Sequence, residues 1–254
     1  MGARVNGGDL EGKSVVLTGA SGGIGAALAR GFAEMGAHVV AVDMPGSKIV
    51  KIAEELPGNM HVGIELDIGE LSAHASLFEL AQSMAPLAAL VNCAAYLKRV
   101  DTVDDVTEAD WDQQVDTNLK AAFFLNRAAY HSFRRHAQHG AIVNFSSQGW
   151  WSGGFGGSVV YASSKGGIVT MTRGLARSFA KDNVRVNSVA PGGVNTAMMQ
   201  NQTPEQLASF VSMIPLGRLA EPEELVDGVI FLSSDSSSYI TGAVLNVSGG
   251  QLMY

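Results

Sequence analysis

The chain has 254 residues, 46% of them apolar, with a formal charge of −7 and one cysteine. That length and hydrophobicity suit one α/β domain with a sizeable core, and the scattered basic residues argue against a nucleic-acid partner. The single Cys93 rules out an internal disulfide and fits a reducing, cytoplasmic setting, while no apolar run reaches about 18 residues, which argues against a membrane span.

Residues 1–11 read as a flexible tail and 12–254 as one dinucleotide-binding catalytic domain. Seven short apolar runs, at 14–17, 38–42, 61–66, 87–91, 141–145, 184–189 and 243–247, read as strands. Their hydrophobicity is continuous rather than alternating, as in strands covered on both faces, and the stretches between them have the length and period of crossover helices. This predicts an α/β, single-domain Rossmann fold: a doubly wound seven-stranded parallel sheet with helices on both faces.

The first strand runs into Thr18-Gly19-Ala20-Ser21-Gly22-Gly23-Ile24-Gly25, and a helical stretch follows at 26–35. Gly19 and Gly23 allow backbone to approach a pyrophosphate and Gly25 allows close helix packing, while the helix start offers free N–H groups. Ser21, Gly22 and Ile24 complete this cofactor turn. The second strand ends in Asp43, where a carboxylate accepts hydrogen bonds from an adenosine ribose and repels a 2′-phosphate. No Lys or Arg occurs in the turn or in Met44-Pro45-Gly46-Ser47. NAD is therefore expected in preference to NADP.

Three motifs in order carry a resemblance: TGASGGIG at 18–25, Tyr161-Ala162-Ser163-Ser164-Lys165, and Pro191-Gly192-Gly193-Val194-Asn195-Thr196. Together they resemble the classical short-chain dehydrogenase/reductase family over nearly the whole chain. The resemblance implies NAD(P)-dependent hydride transfer between an alcohol and a carbonyl. Tyr161 and Lys165, four apart, share a helix face, and the ammonium is expected to lower the phenol's pKa so that Tyr161 acts as general acid/base. The resemblance adds Lys165 on the nicotinamide ribose and Asn118 holding a water near the lysine. It also implies a serine on the reacting oxygen. Ser147 is the choice for that role; it lies fourteen residues before Tyr161 where relatives commonly show thirteen, which leaves Ser146 open. Asp67 and Ile68 match the pair flanking the adenine, and Val194 and Thr196, beside Pro191 and Gly192, would meet the carboxamide. Asn92-Cys93-Ala94-Ala95 replaces the family's Asn-Asn-Ala-Gly; Asn92 and the Ala94 backbone are expected beside the cofactor, with Cys93 as packing.

Gln148, Trp150, Trp151, Phe155, Met198 and Met199 are candidate substrate walls, the aromatic ones suited to stacking, although the tryptophans equally suit a subunit contact. Lys98 and Arg99 are candidates for a carboxylate, set against two solvated charges. His131, His136 and His139 lack organised acidic or cysteine partners, so no metal is expected. The resemblance implies a homotetramer paired through helices at 107–137 and 158–181. Two rival readings are an NADP-dependent reductase of the 3-oxoacyl type and a non-catalytic dinucleotide-binding protein.

Overall fold

The computed structural model describes residues 8–200 and 203–253. Seven strands, β1 Ser14–Thr18, β2 His38–Asp43, β3 Val62–Glu65, β4 Leu87–Asn92, β5 Gly140–Phe145, β6 Val184–Pro191 and β7 Val244–Val247, form one parallel sheet in the order β3-β2-β1-β4-β5-β6-β7. All seven coincide with the apolar runs read from the sequence. Between the strands lie α1 Gly23–Glu34, α2 Ile49–Glu54, α3 His74–Met84, α4 Glu108–Val115, α5 Ala121–Arg135, α6 Gly149–Ser152 and α7 Val159–Phe179. Helices α8 Ala197–Gln200, α9 Pro204–Ser212 and α10 Val226–Ser233 follow β6.

Successive strand residues point to opposite faces, and two separate cores result. Val15, Leu17, Val39, Ala41, Ala89, Val91, Ala141 and Val143 join Leu28 and Phe32 of α1 and Val229 and Ile230 of α10. Val16, Val40, Val42, Leu90, Ile142, Val184 and Val186 join Phe78 of α3, Leu125 and Phe133 of α5 and Phe179 of α7. Both phases of each central strand are thus buried, which is why the sequence shows runs instead of alternation.

The packed chain begins earlier than expected. Within the stretch read as a tail, Gly8–Leu10 forms a 3-10 turn with Leu10 fully buried in the first core, and Asp9 accepts a hydrogen bond from the Asp235 N–H at 2.8 Å. The apolar Leu10 has a core to enter, and that burial outweighs the polarity of its neighbours. Residues 1–7 lie outside the described residues.

The chain reverses direction across the sheet between β1 and β4, which opens a crevice at their C-terminal ends. A π-helical turn, Asp116–Lys120, joins α4 to α5 beside it.

Candidate active site

The turn after β1 is held against its neighbours at contact distance. Gly19 has φ +70°, and a Cβ there would lie 2.7 Å from the backbone of Ala94; one on Gly25 would lie 1.9 Å from the Gly19 carbonyl oxygen. Ala94 N–H donates to the Thr18 hydroxyl at 3.3 Å, tying β4 to the turn. Gly22 and Gly23 are exposed at the start of α1, and no side chain caps it. This bare helix start with its positive potential fits a pyrophosphate. Thr196 crosses it: a Cβ on Gly23 would meet the Thr196 methyl at 2.8 Å. The Thr196 segment is fixed by a bridge from Val194 to Ala220.

Asp43 stands at the end of β2. Its Oδ2 accepts from the Ser21 N–H at 2.8 Å and the Ser21 hydroxyl at 2.6 Å, and its Oδ1 accepts from the Met44 N–H at 2.8 Å. The carboxylate is thereby locked to the glycine turn. Asp67 Oδ1 accepts from Gly69 N–H at 2.8 Å, while Ile68 is buried in the second core, so its side chain is a packing element.

Tyr161 and Lys165 lie on one face of α7, with the Lys165 Nζ 5.5 Å from the centre of the Tyr161 ring. Lys165 is buried and donates to the Phe145 carbonyl at 2.8 Å. Burial lowers this ammonium to about 8. Burial likewise raises Tyr161 to about 12, with the nearby Cys93 thiol acting in the same sense; a hydrogen bond with Ser147 and the charge of Arg99 act in the opposite direction. The expected lowering of the phenol by its lysine is therefore corrected: burial sets the direction of the shift, and the influences that oppose it are Ser147 and Arg99. At neutral pH the pair stands as phenol and ammonium.

The two serines after β5 separate cleanly. Ser146 is buried and donates to the Lys165 main-chain carbonyl at 2.9 Å. Ser147 lies near enough to Tyr161 to favour its phenolate, and its hydroxyl accepts from Gly149 N–H at 3.2 Å. The loop after Ser147 forms α6 and then a run of left-handed glycines, Gly153, Gly154, Gly156 and Gly157.

Asn118 sits in the π turn. Its Oδ1 accepts from Tyr96 N–H at 2.7 Å and its Nδ2 donates to the Tyr96 carbonyl at 2.9 Å and to Ser164 at 3.1 Å. Asn92 is turned into the sheet, where it donates to Asn144 at 2.9 Å; Asn144 also bonds Asn126 and Thr172. Sequence reasoning missed this buried amide cluster because the partners lie on four separate elements. Burial raises the Cys93 thiol to about 12, consistent with its reading as packing.

Among the candidate walls, Gln148 is buried with its Oε1 unpaired, whereas Trp151 and Phe155 are 58% and 44% exposed. Trp150 and Trp151 meet edge to face at 5.2 Å. Met198 and Met199 lie on α8, Met198 exposed. Pro191 ends β6, and a Cβ on Gly192 would lie 2.8 Å from the Ser248 backbone. His136 bonds the Ser132 carbonyl and His139 pairs with Asp235 at 3.5 Å; among the described residues no metal-binding group of three such ligands occurs. No described helix is long and apolar enough to cross a membrane.

Residues 19–251 match the family model described as enoyl-(acyl carrier protein) reductase. The chain is 34% identical to the (3R)-3-hydroxyacyl-CoA dehydrogenase of Canis lupus familiaris, covering 96% of this chain and 98% of that one. It is 36% identical to the 3-oxoacyl-acyl-carrier-protein reductase of Thermotoga maritima, covering 95% and 98%. A solved structure from Beutenbergia cavernae, described as an NAD(P)-dependent gluconate 5-dehydrogenase with NADP bound at low occupancy, superposes with a TM-score of 0.88 at 35% identity, covering 95% of this chain and 97% of that one. The chain thus belongs to the classical short-chain dehydrogenase/reductase family and is an NAD(P)-dependent oxidoreductase of hydroxyl and oxo groups.

Proposed function

We propose that this enzyme interconverts a secondary alcohol and its ketone, or an alcohol and its aldehyde, using NAD, with Ser147, Tyr161, Lys165 and Asn118 as its catalytic set. The carrying observation is the Lys165 ammonium 5.5 Å from the Tyr161 ring on one face of α7, with Ser147 near enough to favour the phenolate. The dinucleotide supplies the carbon that takes or gives hydride. Ser147 holds the substrate oxygen. Tyr161 donates its proton to that oxygen in reduction and accepts it in oxidation. Lys165 holds positive charge beside the phenol, and Asn118 fixes the segment around Tyr96 that borders the pair. Gly19, Ser21 to Gly25, Asp43, Asp67 and the 191–196 segment are the proposed dinucleotide contacts.

NAD rests on the Asp43 carboxylate at the ribose position. NADP is the second reading: the Beutenbergia cavernae relative binds it, and Lys48, one residue past the cation-free stretch, is exposed. The free Cys93 supports a reducing, cytoplasmic setting. An apolar groove lined by Val115, Leu119, Phe123, Phe124 and Met171 supports assembly through α4, α5 and α7 into a homotetramer.

The test is absorbance of NADH and NADPH with a panel of polyols, sugar acids, hydroxyacyl thioesters, aromatic alcohols and matching ketones. Tyr161→Phe should lower kcat by about 10²- to 10⁴-fold with dinucleotide binding retained. Turnover indifferent to this change removes the assigned acid/base.

A further inference from the structure

We propose that Arg99 recognises an anionic group on the substrate, so that the preferred substrates are hydroxy or oxo compounds bearing a carboxylate or phosphate away from the reacting carbon. The inference rests on the Tyr161-centred reaction above.

The segment that carries Arg99 is rigidly built. Asp110, Gln114 and Asn118 recur at intervals of four, and all three are buried. Such spacing places them on one helical stripe, continued through the π turn. Each grips the segment after β4. Lys98 Nζ lies 2.6 Å from Asp110 Oδ1, Lys98 N–H donates to Gln114 Oε1 at 3.1 Å, and Tyr96 exchanges two hydrogen bonds with Asn118. Backbone held at two points this close leaves little freedom to the next residue.

The two neighbouring cations have different fates. Asp110 neutralises Lys98, whereas among the described residues no carboxylate lies within ion-pairing distance of Arg99. Arg99 instead uses Nη1 to donate to the carbonyls of Phe155 at 2.8 Å and Gly156 at 3.2 Å. Carbonyls orient a guanidinium without cancelling its charge, and Nε and Nη2 carry three further N–H donors in a fork suited to a carboxylate or phosphate. Beside it, Val100 N–H donates to the Gly157 carbonyl at 3.2 Å, joining the same two segments. The Phe155 to Gly157 stretch leads directly into α7, which carries Tyr161, and Arg99 is near enough to Tyr161 for its charge to favour the phenolate. A cation anchored at the rim of a reaction site, with charge unspent, is an anion receptor.

The experiment compares matched probes on the full chain: 3-hydroxybutyrate against 3-hydroxybutyramide, and glycerol 3-phosphate against glycerol. Both kcat/KM and binding, read by tryptophan fluorescence in the presence of NAD, are measured for wild type, Arg99→Met and Arg99→Lys. Wild type should favour at least one anionic probe over its neutral partner. Arg99→Met should reduce that preference by about 10- to 100-fold, the size expected for a lost charge-assisted contact, and Arg99→Lys should restore part of it. Preference for the carboxylate pair or for the phosphate pair tells which anion is meant. Equal losses for charged and neutral probes would make Arg99 only a loop staple and overturn the proposal. So would wild-type binding that ignores the anion, whether or not turnover is seen. Neutral alcohols turned over in a Tyr161-dependent way without anion preference would leave the reaction assignment intact while removing this one.

Discussion

Lys165 carries the largest electrostatic burden of any single residue at the site. Its side chain is buried beneath Tyr161 with one main-chain acceptor, and its pKa falls from 10.5 to about 8. The folded chain therefore binds fewer protons than the unfolded chain between those values, and this residue's cost to stability, about 3 kcal/mol, is full below the lower value and relieved as pH rises toward the upper. Lys165→Met should abolish turnover yet stabilise the fold by about 1–2 kcal/mol near pH 7, once the loss of the Phe145 hydrogen bond is deducted. Urea denaturation across the pH range should show that gain shrinking above about pH 8. Tyr161, raised to about 12, remains a proton donor from about pH 7 to 9; reductive kcat/KM should fall in that range only as the Lys165 ammonium is lost near pH 8, while oxidative kcat/KM should rise with the phenolate fraction as pH increases. A pH profile with the opposite slopes would show that another group supplies the proton. At Asp43, removal of the carboxylate releases both the Ser21 clasp and the repulsion of a 2′-phosphate. Asp43→Ala should shift the kcat/KM ratio toward NADP by at least about tenfold, corresponding to about 1.4 kcal/mol.

At the scale of elements, two joints decide whether the site residues meet. The first is the amide cluster that ties β4, β5, α5 and α7 through Asn92, Asn144, Asn126 and Thr172. Asn144→Val would strand three buried partners, and each orphaned group costs about 1–3 kcal/mol; a loss of at least about 2 kcal/mol in urea denaturation is expected. The second joint is the approach of the glycine loop to the segment after β4. Gly157 has φ +72°, and a Cβ there would fall 1.7 Å from the Val100 carbonyl oxygen. Gly157→Ala must push the two segments apart and move the Arg99 anchor with them, so KM should rise more than kcat falls, while dinucleotide binding, proposed to rest on the glycine turn after β1, should stay near the wild-type value. Equal effects on substrate and cofactor affinity would show that the loop acts on the fold as a whole.

For the whole molecule, two cores on either side of one sheet make the C-terminal crevice a rigid reference against which the loops are set. The groove between α4, α5 and α7 lies outside those cores and keeps Phe123 39% exposed. Phe123→Glu should therefore reduce the assembly's mass in light scattering if this groove joins subunits, with little change in helix content; an unchanged mass would place the contact elsewhere.

The seven strands and their parallel arrangement were readable in the residues because each is encoded locally, as apolar runs of strand length and a glycine turn between strand and helix; the reaction class was readable through the family resemblance that the tyrosine and lysine one helical turn apart help to carry. Three things depend on the packed chain. Ser146 and Ser147 are adjacent and chemically identical, and only the position of the Lys165 carbonyl separates a structural hydroxyl from one facing Tyr161. The sign of the Tyr161 shift depends on how much water the fold removes, a quantity that spacing does not contain. Arg99 and Lys98 look alike in sequence, yet Asp110, twelve residues beyond Lys98, cancels one charge and leaves the other. Local pattern specifies elements and residue types; burial and long-range pairing, which fix charge and orientation, exist only once distant segments share a surface.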